Sequence, residues 1–301
     1  MVLPKDLNLY MTSKCNFNCK HCSRSSNKPQ AADVTVKLVK SILKLFPINT
    51  VCVAGFGEPL MNPNTIDVMK YLTDKGLVVS LITNGSKLLE YADELMEMNL
   101  LHISVSLNVA DSEGHVKLNG TKTFGKIIEG INYIKENCNH IPIGISKVCT
   151  TENLEEIPNF MQLGSYLGAS FIHLINCLPY VKDEYSKTIT ENDRELINLL
   201  EYYRTLPSAI RVKHWPIPIR DKCPETCNSP WKSIGIDGDG YISGCRRIFG
   251  PSKVFGHFTD IDVWERGKEL TNLRMAIRGK GKYAWACKHC FGNYKQKKEK
   301  R

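Results

Sequence analysis

The chain has 301 residues, 42% of them hydrophobic and 24% charged, enough for one large domain or a medium domain with a small appendage. It has no apolar run long enough for a membrane span, and its first ten residues lack the basic start, apolar middle and cleavage site of a signal peptide, so a cytoplasmic globular protein is expected. Of the formal charge of +9, about +4 comes from the tail, where Lys295, Lys297, Lys298, Lys300 and Arg301 outweigh Glu299; the body is only mildly basic, which makes nucleic acid an unlikely partner.

From residue 6 to about 178, short apolar or β-branched runs alternate with longer amphipathic stretches. The runs predict strands at 7–11, 50–54, 77–82, 101–107, 141–148 and 170–175. Between the first two, Val36, Val39, Leu43 and Phe46 fall on one helical face, and Asp33 is placed to cap that helix. Six such units predict an α/β fold in which parallel strands curl into a partial (β/α)6 barrel, with chemistry where the strands end. A charged helix follows at 191–206, then Pro-containing extended chain at 210–219. Beyond residue 221 cysteines, glycines and turn residues become dense, the composition of a small metal-stapled unit with too little core to stand alone. The expected organisation is a barrel at 1–206, a connecting segment at 207–222, a cysteine-rich β-hairpin/helix unit at 223–294 and a basic tail at 295–301.

The chain has twelve cysteines and no secretion signal, so metal is a better use for them than a disulfide framework. Directly after the first strand stands Cys15-Asn-Phe-Asn-Cys19-Lys-His-Cys22. Thiolates are soft ligands suited to zinc or iron–sulfur clusters. A structural zinc wants a fourth ligand, for which His21 and His102 are the candidates, although His21 is strained between Lys20 and Cys22. A four-iron cluster held by three cysteines leaves one iron open to a ligand. Cys52, Cys138, Cys149 and Cys177 sit alone in apolar segments and read as core residues.

The first cysteine motif resembles the C-x3-C-x2-C signature of the radical S-adenosylmethionine (SAM) superfamily, with His21 in the place of the usual aromatic residue. Gly55-Phe56-Gly57-Glu58-Pro59, at the end of the second strand, looks like that family's Gly-Gly-Glu-Pro turn, which contacts the SAM amino group. The resemblance implies a [4Fe-4S] cluster on Cys15, Cys19 and Cys22 with SAM bound to it. It also implies SAM contacts from His21, Gly57, Glu58, Pro59, Asn84, Ser104, Ser106 and Asn108, and from the backbone at Gly144 and Ile145.

The C-terminal set comprises Cys223, Cys227, Cys245, Cys287 and Cys290. A hairpin at 234–243, turning on Asp237-Gly238-Asp239-Gly240, brings Cys227 and Cys245 toward the Cys287-x2-Cys290 pair. Alone, this pattern suits zinc or an iron–sulfur cluster. After the first motif it resembles the Twitch unit, the short form of the SPASM domain, and implies one auxiliary [4Fe-4S] cluster on Cys227, Cys245, Cys287 and Cys290. Cys223 is then either structural or a thiol that returns hydrogen to a substrate radical. Trp231, Tyr241 and Trp285 read as packing around the hairpin.

The resemblance implies a one-electron reductant of flavodoxin or ferredoxin type and hydrogen abstraction from a substrate, ending in oxidation, epimerisation or crosslinking. Few residues precede the first strand, which favours a small molecule over a peptide; a peptide or protein maturase is the alternative. Arg211, His214 and Arg220 are attractive for an anionic group. A zinc-stapled nucleic-acid-binding protein is the remote rival.

Overall fold

The structure, a computed structural model, describes residues 3–22, 24, 30–179, 182–219, 227–245, 255–280, 287 and 290. Cys223, Arg220, Trp285 and the basic tail lie outside the described residues.

Strict alternation shapes the sheet. In β1 (Asp6–Tyr10) Leu7 and Leu9 point into the apolar core while Asn8 and Tyr10 point the other way. Strands β2 (Thr50–Ala54), β3 (Val78–Thr83), β4 (Leu100–Ser106), β5 (Ile143–Cys149) and β6 (Phe171–Asn176) repeat the pattern. One face offers Val51, Val53, Leu81, Val105, Ile145 and Ile172, all 0% exposed, to the helices. Each such side chain contributes about 1.5–3 kcal/mol on burial. The other face carries Asn8, Ser80, Ser104, Ser146 and His173, polar groups suited to a cavity wall rather than a packed interface.

The strands form one nine-stranded sheet in the order β7-β6-β5-β4-β3-β2-β1-β8-β9. β1 to β8 pair in parallel, and only β8 and β9 pair antiparallel. All six expected strands are present, each within two residues of its expected bounds. The extended chain after the charged helix (Arg194–Thr205) supplies a seventh, β7 (Val212–His214), laid on β6. On the other side β8 (Ser233–Asp237) pairs with β1 from Asp6↔Ser233 to Tyr10↔Asp237. The C-terminal hairpin is therefore an extension of the barrel sheet.

The hairpin turns as its sequence dictates. The Asp237 carboxylate accepts from the backbone N–H of Asp239 and Tyr241 at 3.1 and 2.9 Å, and Gly240 takes φ +83°. β9 (Ile242–Ser243) returns with Gly235 opposite Ser243.

The helix Val36–Leu45 is capped by Thr35, whose side chain accepts from the Leu38 N–H. Asp33, expected in that role, instead takes the Thr12 hydroxyl at 2.6 Å and the Lys14 ammonium at 2.7 Å. These bonds tie the approach to the helix to the loop after β1. Ile42, fully buried, carries the helix contact together with Val39.

Candidate active site at the strand ends

The loop after β1 is held from three sides. Glycine turn 55–57 grips it from β2: Gly57 N–H donates to Thr12 O at 2.9 Å and Glu58 N–H to Lys14 O at 2.8 Å. A Cβ on Gly57 would stand 1.8 Å from Lys14 O, so the glycine is required by close backbone approach to the cysteine loop. From β3, Asn84 Nδ2 donates to Asn16 Oδ1 at 2.9 Å and lies 4.0 Å from Cys15 Sγ, while Asn16 Nδ2 donates to Ser86 Oγ at 2.8 Å. The third support is the helix Ser112–Asn119, whose terminal carbonyls at Leu118 and Asn119 accept from Lys20 and Asn18 N–H at 3.1 and 3.3 Å.

That helix is pinned by His115, wholly buried, with Asn119 Nδ2 at 3.0 Å from Nδ1 and Thr123 Oγ1 at 3.1 Å from Nε2. Asn119 must donate to Nδ1, so the proton is assigned to Nε2. Phe17, between the first two cysteines, packs edge-on against this ring at 5.5 Å.

Cys15, Cys19 and Cys22 are half-buried on this loop and act on one another electrostatically. Burial, then the neighbouring Cys22 and Cys15, push the Cys19 thiol up to about 12. Burial also raises Cys15, opposed by the Phe17 N–H, which donates to its sulfur at 3.5 Å. Three soft donors drawn together, with N–H groups turned toward one sulfur, suit a positively charged iron cluster that favours the thiolate form. Burial lowers His21 to about 4, followed by the charges of Lys147 and Lys187, so the fold favours its neutral ring.

Glu58 is 2% exposed, and its carboxylate accepts from the Thr83 hydroxyl at 2.5 Å, the Asn84 N–H at 2.6 Å and the Leu60 N–H at 3.1 Å. Burial pushes its pKa up, and these donors, with Lys87 beyond them, pull it down. With about four lone-pair sites on a carboxylate, Glu58 is largely spent in bracing β2 to β3. Pro59 opens the 3-10 turn Pro59–Met61 behind it. Asn62, which no sequence pattern singled out, ends that turn and donates Nδ2 to both Met11 O and Val34 O at 2.9 Å.

Ser104 and Ser106 line the inner face of β4. Asn108 stands in the left-handed region at φ +67°. Its Oδ1 accepts from Val148 N–H at 2.9 Å, its Nδ2 donates to Ser106 O at 3.2 Å, and its carbonyl accepts from the buried Lys147 Nζ at 2.8 Å. Lys147 is closed off by Glu156 at 2.6 Å. Gly144 lies beneath the Phe171 ring, where a Cβ would come within 2.1 Å, and Ile145 points into the helix-covered core. His102 is on β4, edge-on to Phe171 at 5.3 Å.

The C-terminal cysteines are also drawn together. The Cys227 thiol is raised by burial and then by Cys245 and Cys290, residues far from it in sequence. Ser229 Oγ donates to Cys245 Sγ at 3.5 Å, and Cys287 packs against the same core. Trp231 lies under Arg278 and Arg274, at 5.0 and 6.0 Å, whereas Tyr241 is exposed. Cys138, Cys149 and Cys177 are buried and Cys52 is half-buried. No helix among the described residues is long and apolar enough to cross a membrane.

Residues 9–164, slightly over half of the chain, match the Radical SAM superfamily. The chain belongs to that superfamily and is a radical SAM enzyme. It is 29% identical over 215 residues to a probable GTP 3',8-cyclase of Saccharolobus islandicus, covering 70% of this chain and 69% of that one. It is also 29% identical over 208 residues to the AdoMet-dependent heme synthase of Methanosarcina barkeri, covering 67% and 59%. Among solved structures it resembles Streptococcus suis SuiB bound to precursor peptide SuiA, with TM-score 0.72 and 16% identity over 98% of this chain and 72% of that one. It likewise resembles native anSMEcpe with bound AdoMet and Cp18Cys peptide, with TM-score 0.68 and 18% identity over 96% and 86%.

Proposed function

We propose that the chain binds a [4Fe-4S] cluster through Cys15, Cys19 and Cys22, cleaves SAM reductively at it and removes a hydrogen atom from a carbon of its substrate. When bound, the cluster supplies the one electron that splits SAM into methionine and a 5′-deoxyadenosyl radical. The observation that carries the reading is the cysteine loop, fixed at the end of β1 by β2, β3 and the His115 helix. Because the Glu58 carboxylate is engaged within the protein, the turn's contact with the SAM amino group is assigned to its backbone carbonyls. Asn84 and His21 border the same loop; Ser104, Ser106, Asn108 and the backbone at Ile145 form the adjoining wall, while Gly144 is covered by the Phe171 ring. The electron is drawn from an external carrier of flavodoxin or ferredoxin type.

A second [4Fe-4S] cluster is assigned to Cys227, Cys245, Cys287 and Cys290 in a Twitch-like unit spanning 223–294, supported by the electrostatic influence of Cys245 and Cys290 on Cys227. Such a cluster is suited to accept an electron from a substrate radical, giving oxidation or crosslinking. Return of a hydrogen, with Cys223 as its donor, gives epimerisation instead.

Anaerobic reconstitution followed by reduction tests the reading. Wild type should hold about eight irons and form 5′-deoxyadenosine from SAM; Cys15→Ala should form none, and Cys227→Ala should hold about four irons. Zinc without iron, and no SAM cleavage, sinks it. A peptide substrate is the second reading, favoured by two peptide-bound structures that share this fold over nearly the whole chain. Loss of two hydrogens from an added peptide, seen by mass spectrometry, separates it from small-molecule oxidation.

A further inference from the structure

Away from the cysteine loop, the inner wall of the barrel carries imidazoles and one ammonium that the cofactor chemistry leaves unused. Phe171, at the start of β6, lies across β5 in the space that Gly144 leaves open, and its ring meets His102 of β4 at 5.3 Å. On its other side it meets His173 at 4.7 Å, and His173 meets His214 of β7 at 4.7 Å. The pairing of β6 with β7 shifts register between Ile172 and His173, so adjacent residues of β7 reach one side: His214 sits beside His173, and Lys213 Nζ lies 5.0 Å over the Phe171 ring.

Among the described residues Lys213 forms no ion pair. Among the described residues, the charged and titratable groups acting on His102 and His173 are Lys213 and other imidazoles, with no carboxylate. His173 Nε2 is buried with no hydrogen-bond partner among the described residues. A buried ring nitrogen left without a hydrogen bond is costly, and the exposed Lys213 ammonium beside it makes the local potential positive. Both features suit one ligand group that accepts hydrogen bonds and carries negative charge. The wall is open to such a ligand: β7 ends the sheet, bordering the side where the partial barrel does not close, and Lys213 and His214 are exposed there.

We propose that Lys213, His102, His173 and His214 form an oxyanion subsite at the open edge of the barrel, which takes a carboxylate or phosphate group of the substrate. Phe171 is its floor, and Gly144 makes room for that floor. The subsite deepens the enzyme reading and rests on it only for calling the ligand a substrate.

The test is titration of the full chain with inorganic pyrophosphate and, separately, with succinate, following the imidazole nitrogen signals by NMR, with His173 assigned by His173→Gln. The expected result is a saturable shift of the His102 and His173 signals with at least one probe, weakened at least tenfold in Lys213→Met. A response to pyrophosphate alone marks a phosphate-bearing substrate, and one to succinate alone a carboxylate. Unmoved signals with both probes, or an equal response in Lys213→Met, overturn the subsite and leave the rings as packing. Failure of SAM cleavage with the shifts intact instead overturns the enzyme reading and leaves the subsite standing.

Discussion

Gly57 governs a thiol loop without contributing a side chain. Its Cα faces Lys14 O so closely that Gly57→Ala must push the loop away from the β2 turn. The expected outcome is a far-UV circular dichroism spectrum like wild type, with iron bound after reconstitution cut by about half, since the C-terminal thiols are not touched. His173 gives a pH signature. Burial first, then His214, Lys213 and His102, lowers it from 6.5 to about 4. The fold accepts the neutral ring, so its contribution is fully present above pH 6.5 and is lost as pH falls toward 4. Urea midpoints should therefore drop more steeply for wild type than for His173→Gln in that window; parallel curves would show that the ring does not contribute.

At the level of elements, the ends of β4 and β5 are joined by one residue rather than by sheet pairing alone. Asn108 bridges Ser106 O and Val148 N–H while holding a left-handed backbone, and Lys147 bonds its carbonyl from behind. Asn108→Ala loses both side-chain bonds and keeps the strained φ, at a cost of about 1–3 kcal/mol in chemical unfolding. Asn108→Gly relieves the strain and should cost less; equal losses would put the whole effect on the side-chain bonds. The strands themselves were legible because period-two alternation and buried β-branched runs depend on neighbours in the chain. The exchange of Asp33 for Thr35 as a cap was not, because Asp33 is drawn away by Thr12 and Lys14, brought near only by the fold. The same holds for Asn62 and for Asn16 with Ser86, whose partners lie tens of residues away.

For the molecule as a whole, the loop after β1 and the C-terminal hairpin were legible, since both rest on local patterns. The histidines of β4, β6 and β7 carried no such pattern: they are one apiece on separate strands, and only the barrel places them together. Sequence also gave no hint that β8 would pair with β1, and that pairing sets a length. Cys245 follows β9 back to the level of Ser233, which stands opposite Asp6, while Cys15 follows the far end of β1 at Tyr10. The two thiol sets thus lie beyond opposite ends of one five-residue strand, whose ends are about 13 Å apart at about 3.3 Å per residue. A strand clamped on both sides cannot stretch or hinge, so it acts as a rigid spacer. An electron passing between clusters held by the two sets would cross a gap to which β1 contributes a fixed part, the loops beyond its ends supplying the rest.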